Sequence, residues 1–113
     1  MKDTDIEKTI RQFIKATNAF DVKAALLLFT ENAVIDDVSV GSTFKNTTGI
    51  RNYLEKFFVG YNTVTKLESM KIINSRQADA QADFTGDFGH ETGALNITIN
   101  ATGLITRIDA HLD

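Results

Sequence analysis

Apolar residues recur at helical spacing as far as Tyr61 and at a spacing of two beyond it. Thr4-Asp5-Ile6-Glu7 reads as a capping box, with Glu three residues after Thr. Ile6, Ile10, Phe13, Ile14 and Thr17 then share one face, and Glu7, Lys8, Arg11, Gln12 and Lys15 the other. This predicts an amphipathic helix over residues 5–18. Asn18 to Asp21 is the connection, and Asp21 is the N-cap of a second helix. Val22, Ala25, Leu26 and Phe29 form its inward stripe, which Leu27 and Leu28 widen, so this helix is expected to be buried on most sides. Ala33 to Val38 predicts a short strand and Val40 to Thr47 a loop. Thr48 caps a third helix presenting Ile50, Leu54, Phe57, Phe58 and Tyr61, with Gly60 as its left-handed C-cap.

Residues 63–75 predict one long strand containing Leu67, Met70, Ile72 and Ile73. Ala78, Ala80, Ala82, Phe84, Gly86 and Phe88 then alternate with polar residues, which predicts a strand with one dry and one wet face. Gly89 to Gly93 is a predicted turn, followed by a strand with Leu95, Ile97 and Ile99 inward. Ala101-Thr102-Gly103 turns the chain into a last strand, where Leu104 to Leu112 alternate. Three helices followed by hairpin-linked strands predict an α+β fold, with the helices laid on one curved antiparallel sheet and an apolar pocket between the layers.

The 113 residues predict a single domain, 1–113, whose 42% hydrophobic content supports a packed core. A net charge of −3 with Lys and Arg scattered among acids predicts no nucleic-acid partner and no anionic membrane surface. There is no cysteine, which excludes disulfides, thiolate catalysis and Cys-based metal sites. The polar start, Met1 to Asp5, predicts no signal peptide, and a cytoplasmic location follows by default. Three Asn-x-Thr triplets, the first at Asn46, carry no meaning without secretion.

Several segments in this order carry a resemblance: Phe13 to Asp21, Leu28 to Asp37, Gly49-Ile50-Arg51-Asn52-Tyr53-Leu54, and the closing Gly103 to Ile108. The chain resembles the nuclear transport factor 2-like superfamily, a cystatin-like α+β group, and within it the ketosteroid isomerase and SnoaL-like members. The resemblance implies a cone of helices and curved sheet, open to ligand at its wide end. It also implies a homodimer through the outer sheet face, which here reads polar, and a general-base carboxylate at the end of the first strand. The matching residue is Asp37. Strand parity puts Asp37 on the face of Ile35, and a carboxylate at a dry cavity mouth loses solvation and becomes a stronger base. Ketosteroid isomerase also needs a tyrosine and a protonated carboxylic acid to hold the oxyanion. Phe13 stands at the tyrosine position, Leu54 at that of its supporting tyrosine, and Leu95 or Asn96 at that of the acid. Each lost donor costs about 10²–10³ in rate, so the chain is expected not to be a ketosteroid isomerase.

The resulting expectation is a small-molecule pocket protein needing no cofactor. It is either an isomerase, cyclase or hydratase of an apolar carbonyl compound with Asp37 as base, or a non-catalytic ligand-binding or dimerisation module on the same scaffold. Phe13, Leu54, Phe57, Phe84, Leu95 and Ile97 are the expected walls, with Tyr61 offering its hydroxyl. No partner for Asp37 is evident. Asp36 is expected to face solvent, His90 to sit in a solvated turn, and His111 to lie on the outer face with Arg107 and Asp109. The histidines lack metal-ligand spacing. Asp79, Asp83 and Asp87 recur along one strand face about 13 Å apart, too far to share a metal.

Overall fold

The computed structural model describes residues 2–113, with side chains from Asp5 onward. Helix α1 spans Lys2–Asn18 and buries Ile6, Ile10, Phe13 and Ala16. It begins upstream of Thr4, so the predicted capping box lies within the helix, and the Thr4 side chain is outside the described residues. Asp21 caps helix α2 (Val22–Leu26) as expected, its Oδ1 accepting the Ala24 N–H at 3.0 Å. That helix is one turn shorter than its apolar run suggests. Leu27 is 73% exposed, and Phe29 belongs to a strand rather than to the helix. The Leu28 carbonyl accepts the Ile105 N–H at 2.7 Å, and this pairing draws the chain into the sheet.

Strand β1 (Phe29–Asp37) is longer than predicted because a register irregularity between Phe29 and Val34 absorbs its polar middle. Part of the predicted loop is strand β2 (Ser42–Lys45), a hairpin partner of β1. Asn46, at φ 66, then turns the chain into helix α3 (Asn46–Leu54), a left-handed conformation that Asn tolerates. Thr48 is therefore inside α3 and caps nothing; Lys45 holds the cap position without a side-chain bond.

Helix α3 continues as a wide π turn over Glu55–Val59, in which the Gly60 N–H bonds the Glu55 carbonyl at 2.8 Å. Gly60 is right-handed (φ −60), and the left-handed residue is Asn62 (φ 55). Glycine is still needed there, because a Cβ at Gly60 would sit 2.5 Å from the Lys56 carbonyl oxygen.

Strands β3 (Val64–Asn74), β4 (Gln77–Gly86), β5 (Gly89–Ile99) and β6 (Ile105–Leu112) complete an open, curved six-stranded sheet of order β2-β1-β6-β5-β4-β3. All neighbours are antiparallel except β1 and β6, which run parallel, so the sheet is mixed rather than purely antiparallel. The predicted turn at Gly89 to Gly93 is strand; the real turn is Asp87-Phe88. Ala78, Ala80 and Ala82 alternate inward on β4. Their small side chains let α1 lie close, and Ile6, Ile10, Ile97, Ile99 and Ile105 fill that end solidly. Thr9 Oγ1 ties α1 to the β5–β6 turn by donating to the Gly103 carbonyl at 3.0 Å.

Candidate active site

Inward residues alternate along β1 as Ala33, Ile35 and Asp37, so parity carries Asp37 to the inner face as predicted. β1 pairs there with β6, placing Asp37 beside Ala110. Farther along the sheet than the alanines of β4, the layers part. Between them lies a hollow of about 500 Å³, walled by Tyr53, Phe57, Tyr61, Phe84, Phe88 and Leu95 among others.

Asp37 borders this hollow and is 7% exposed. Its carboxylate accepts three hydrogen bonds. Ser39 N–H (3.0 Å) and Ser39 Oγ (2.5 Å) donate to Oδ1, and the Tyr53 hydroxyl donates to Oδ2 at 2.6 Å. Tyr53 is raised well above its ordinary value of 10.0, chiefly by burial, then by the Asp37 charge and by their hydrogen bond. It is therefore a neutral donor at physiological pH. This corrects the expectation that Asp37 has no partner. The residue beside Leu54 supplies the hydroxyl: Tyr53 turns toward the hollow, while Leu54 packs into the core.

Tyr53, Phe57 and Tyr61 all face the hollow at successive spacings of four. In a pure α-helix of about 3.6 residues per turn, such a series drifts around the axis. The π turn between them takes up the surplus. The rings form a chain, with centroids 5.2 Å apart for Tyr53–Phe57, 6.0 Å for Phe57–Tyr61 and 6.2 Å for Tyr61–Phe88.

Of the expected wall residues, Phe57, Tyr61, Phe84 and Leu95 border the hollow. Phe13, Leu54 and Ile97 do not; all are buried in the solid core, Phe13 edge-on to Phe29 and Phe58. Sequence reading missed Tyr53, Ser39, Thr63 and Glu91 as lining residues. Glu91 was hidden by the mistaken turn, whereas pairing with Phe84 puts it on the inner face. His90 is also on β5, outward, with Nδ1 2.6 Å from Asp83 Oδ1. Asp87 leaves the wet face of β4 for the turn, where Asn62 Nδ2 donates to it at 3.1 Å, and it borders the mouth. His111, placed on the outer face by parity, is half exposed and reaches the rim. Asp36 pairs with Arg107 at 3.4 Å on the outside. Among the described residues no three His, Cys, Asp or Glu side chains converge on a metal-sized site.

No protein-family model and no curated protein matches the chain. Solved structures match it over almost its full length. An epoxide hydrolase/cyclase-like enzyme of salinomycin pyran ring formation superposes with a TM-score of 0.87 at 17% identity, covering 100% of this chain and 95% of that one. A nuclear transport factor 2-like protein of Cytophaga hutchinsonii matches with a TM-score of 0.80 at 16% identity, covering 96% and 89%. This chain has the nuclear transport factor 2-like fold. A third structure of this fold, a Mycobacterium tuberculosis protein in complex with estradiol-17beta-hemisuccinate, gives a TM-score of 0.83 at 15% identity over 94% and 92%. At these identities the likeness to those proteins is one of fold, and fold alone fixes no chemistry.

Proposed function

We propose that the hollow binds a mainly apolar small molecule and that Asp37 accepts a proton, from the ligand in a cofactor-free isomerisation or cyclisation of a carbonyl compound, or from the attacking water in its hydration. One observation carries this reading: a carboxylate only 7% exposed stands on the wall of an aromatic-lined hollow with a phenol hydroxyl 2.6 Å away. At rest the Tyr53 proton is committed to Asp37. When Asp37 takes a proton in the reaction, its attraction for that hydroxyl falls. The Tyr53 O–H is then free to turn toward the ligand oxygen on which charge develops. Two proteins of this fold support the reading, one a cyclase-like enzyme and one in complex with a steroid ester.

The second reading is a non-catalytic ligand-binding module, in which Asp37 anchors the ligand or the loop that follows it. The double contact from Ser39 favours this, because it ties the carboxylate to that loop. We further propose a cytoplasmic homodimer joined through the outer sheet face, where Lys66, Glu68, Lys71 and Arg107 are exposed. No helix among the described residues is long and apolar enough to cross a membrane.

Native mass spectrometry of the purified protein for co-purified small molecules, repeated on Asp37→Asn, tests the catalytic reading. The expected result is an apolar ligand that the wild type turns over and the variant binds without converting. Equal conversion by both proteins would remove Asp37 from the chemistry. Binding by both without conversion would favour the second reading.

A further inference from the structure

The polar inventory of the hollow is one-sided. Asp37, Asp87 and Glu91 border it, and among the described residues no Lys or Arg does so. Among the described residues His111 is the one basic side chain at the rim, and it leans toward Asp113, with Nε2 3.8 Å from its carboxylate. Lys56 Nζ lies 5.3 Å from the Phe57 ring centre but does not border the hollow. Asp37 is a buried carboxylate held only by neutral donors, whereas buried charges are ordinarily paired with an opposite charge.

The hydroxyls along the wall are spent internally. Tyr53 and Ser39 donate to Asp37, and Thr63 Oγ1 donates to the Phe57 carbonyl at 2.6 Å. Each has one proton to give, so while these bonds are in place the oxygens can only accept from a ligand. Only Tyr61, 41% exposed at the lip, keeps an uncommitted hydroxyl among the described residues. Six aromatic rings (Tyr53, Phe57, Phe58, Tyr61, Phe84 and Phe88) complete the lining. Aromatic faces attract cations, and low-dielectric walls concentrate the field of the carboxylates.

We propose that the hollow selects an apolar ligand carrying a protonated amine and excludes apolar carboxylates. The opposite charge that Asp37 lacks is then supplied by the ligand, whose ammonium adds a charged donor to a carboxylate now held only by neutral ones. This rests on the small-molecule pocket reading above and adds the charge class of the ligand.

Three probes on one skeleton decide it: naphthylethylamine, naphthylethanol and naphthylacetate, titrated calorimetrically at neutral pH into the wild type and into Glu91→Gln. Glu91 is exposed, so that variant folds, and it leaves Asp37 and its three donors intact. The amine should bind about tenfold tighter than the alcohol, a gain of the size that one desolvated charge contact gives. The acetate should bind weakest. Glu91→Gln should narrow the amine–alcohol gap several-fold, as should added salt. Alcohol binding with no preference for the amine overturns the charge assignment and leaves the pocket reading standing. Acetate binding as tightly as the amine also overturns it. Failure of all three probes to bind overturns both.

Discussion

A phenol that shares its proton with a buried carboxylate gives it up late, and this sets a pH dependence that can be measured. Tyr53 is raised well above 10.0 in the folded protein, first by burial and then by Asp37, and in the unfolded chain it titrates near 10.0. Below that pH both states hold the proton and its contribution is intact. Above it the unfolded chain releases the proton while the folded chain keeps it. Stability therefore falls as pH rises past 10.0. Tyr53→Phe should abolish that part of the alkaline loss. At neutral pH it should cost about 1–3 kcal/mol, because Asp37 is left one donor short in a buried place. Urea unfolding of both proteins across alkaline pH checks this; parallel curves would mean that the two groups are not coupled. Asp37 was reached through the family resemblance and supported by strand parity, since its inward neighbours on β1 are apolar. Tyr53 was not, because a one-residue difference on α3 exchanges core for hollow, and only the packed helix shows which of Tyr53 and Leu54 faces which.

The π turn after α3 explains what periodicity could not see. An assumed period near 3.6 grouped Leu54, Phe57, Phe58 and Tyr61 on one face, whereas the wide turn splits them between core and hollow. It also changes the meaning of Gly60. In an ordinary helix, Gly→Ala adds about 1 kcal/mol of stability. Here the added methyl would meet the Lys56 carbonyl at 2.5 Å, so Gly60→Ala should destabilise by about 1–3 kcal/mol. A raised melting temperature in that variant would contradict the π-turn geometry. The missed β2 and the lengthened β1 have a common cause. Both pair with strands distant in sequence or across a tight turn, and β1 is irregular at its polar middle, so neither shows clean alternation. The alternation of β4 and β6 was clean, and those elements were legible.

At the scale of the molecule, the solid end and the hollow end have one origin. Alanines on β4 bring the layers together over one half, and Phe84, Leu95 and Asp37 line the space where they separate. Phe13 and Ile97 were expected beside the hollow because sequence gives the face of a residue and not its depth along the cone. The outer sheet face carries charge, so the proposed dimer interface should be wet and salt-sensitive. Light scattering across protein concentration should give twice the chain mass at low salt, and a monomer throughout would remove the dimer. The hollow itself is tested most directly by NMR titration of the labelled protein with naphthylethylamine. Ring resonances of Tyr53, Phe57 and Phe84 should shift, while methyl resonances of Ile97 and the ring of Phe13 stay fixed. Shifts confined to the outer sheet face, or none at saturating probe, would contradict a ligand-binding hollow bordered by Asp37.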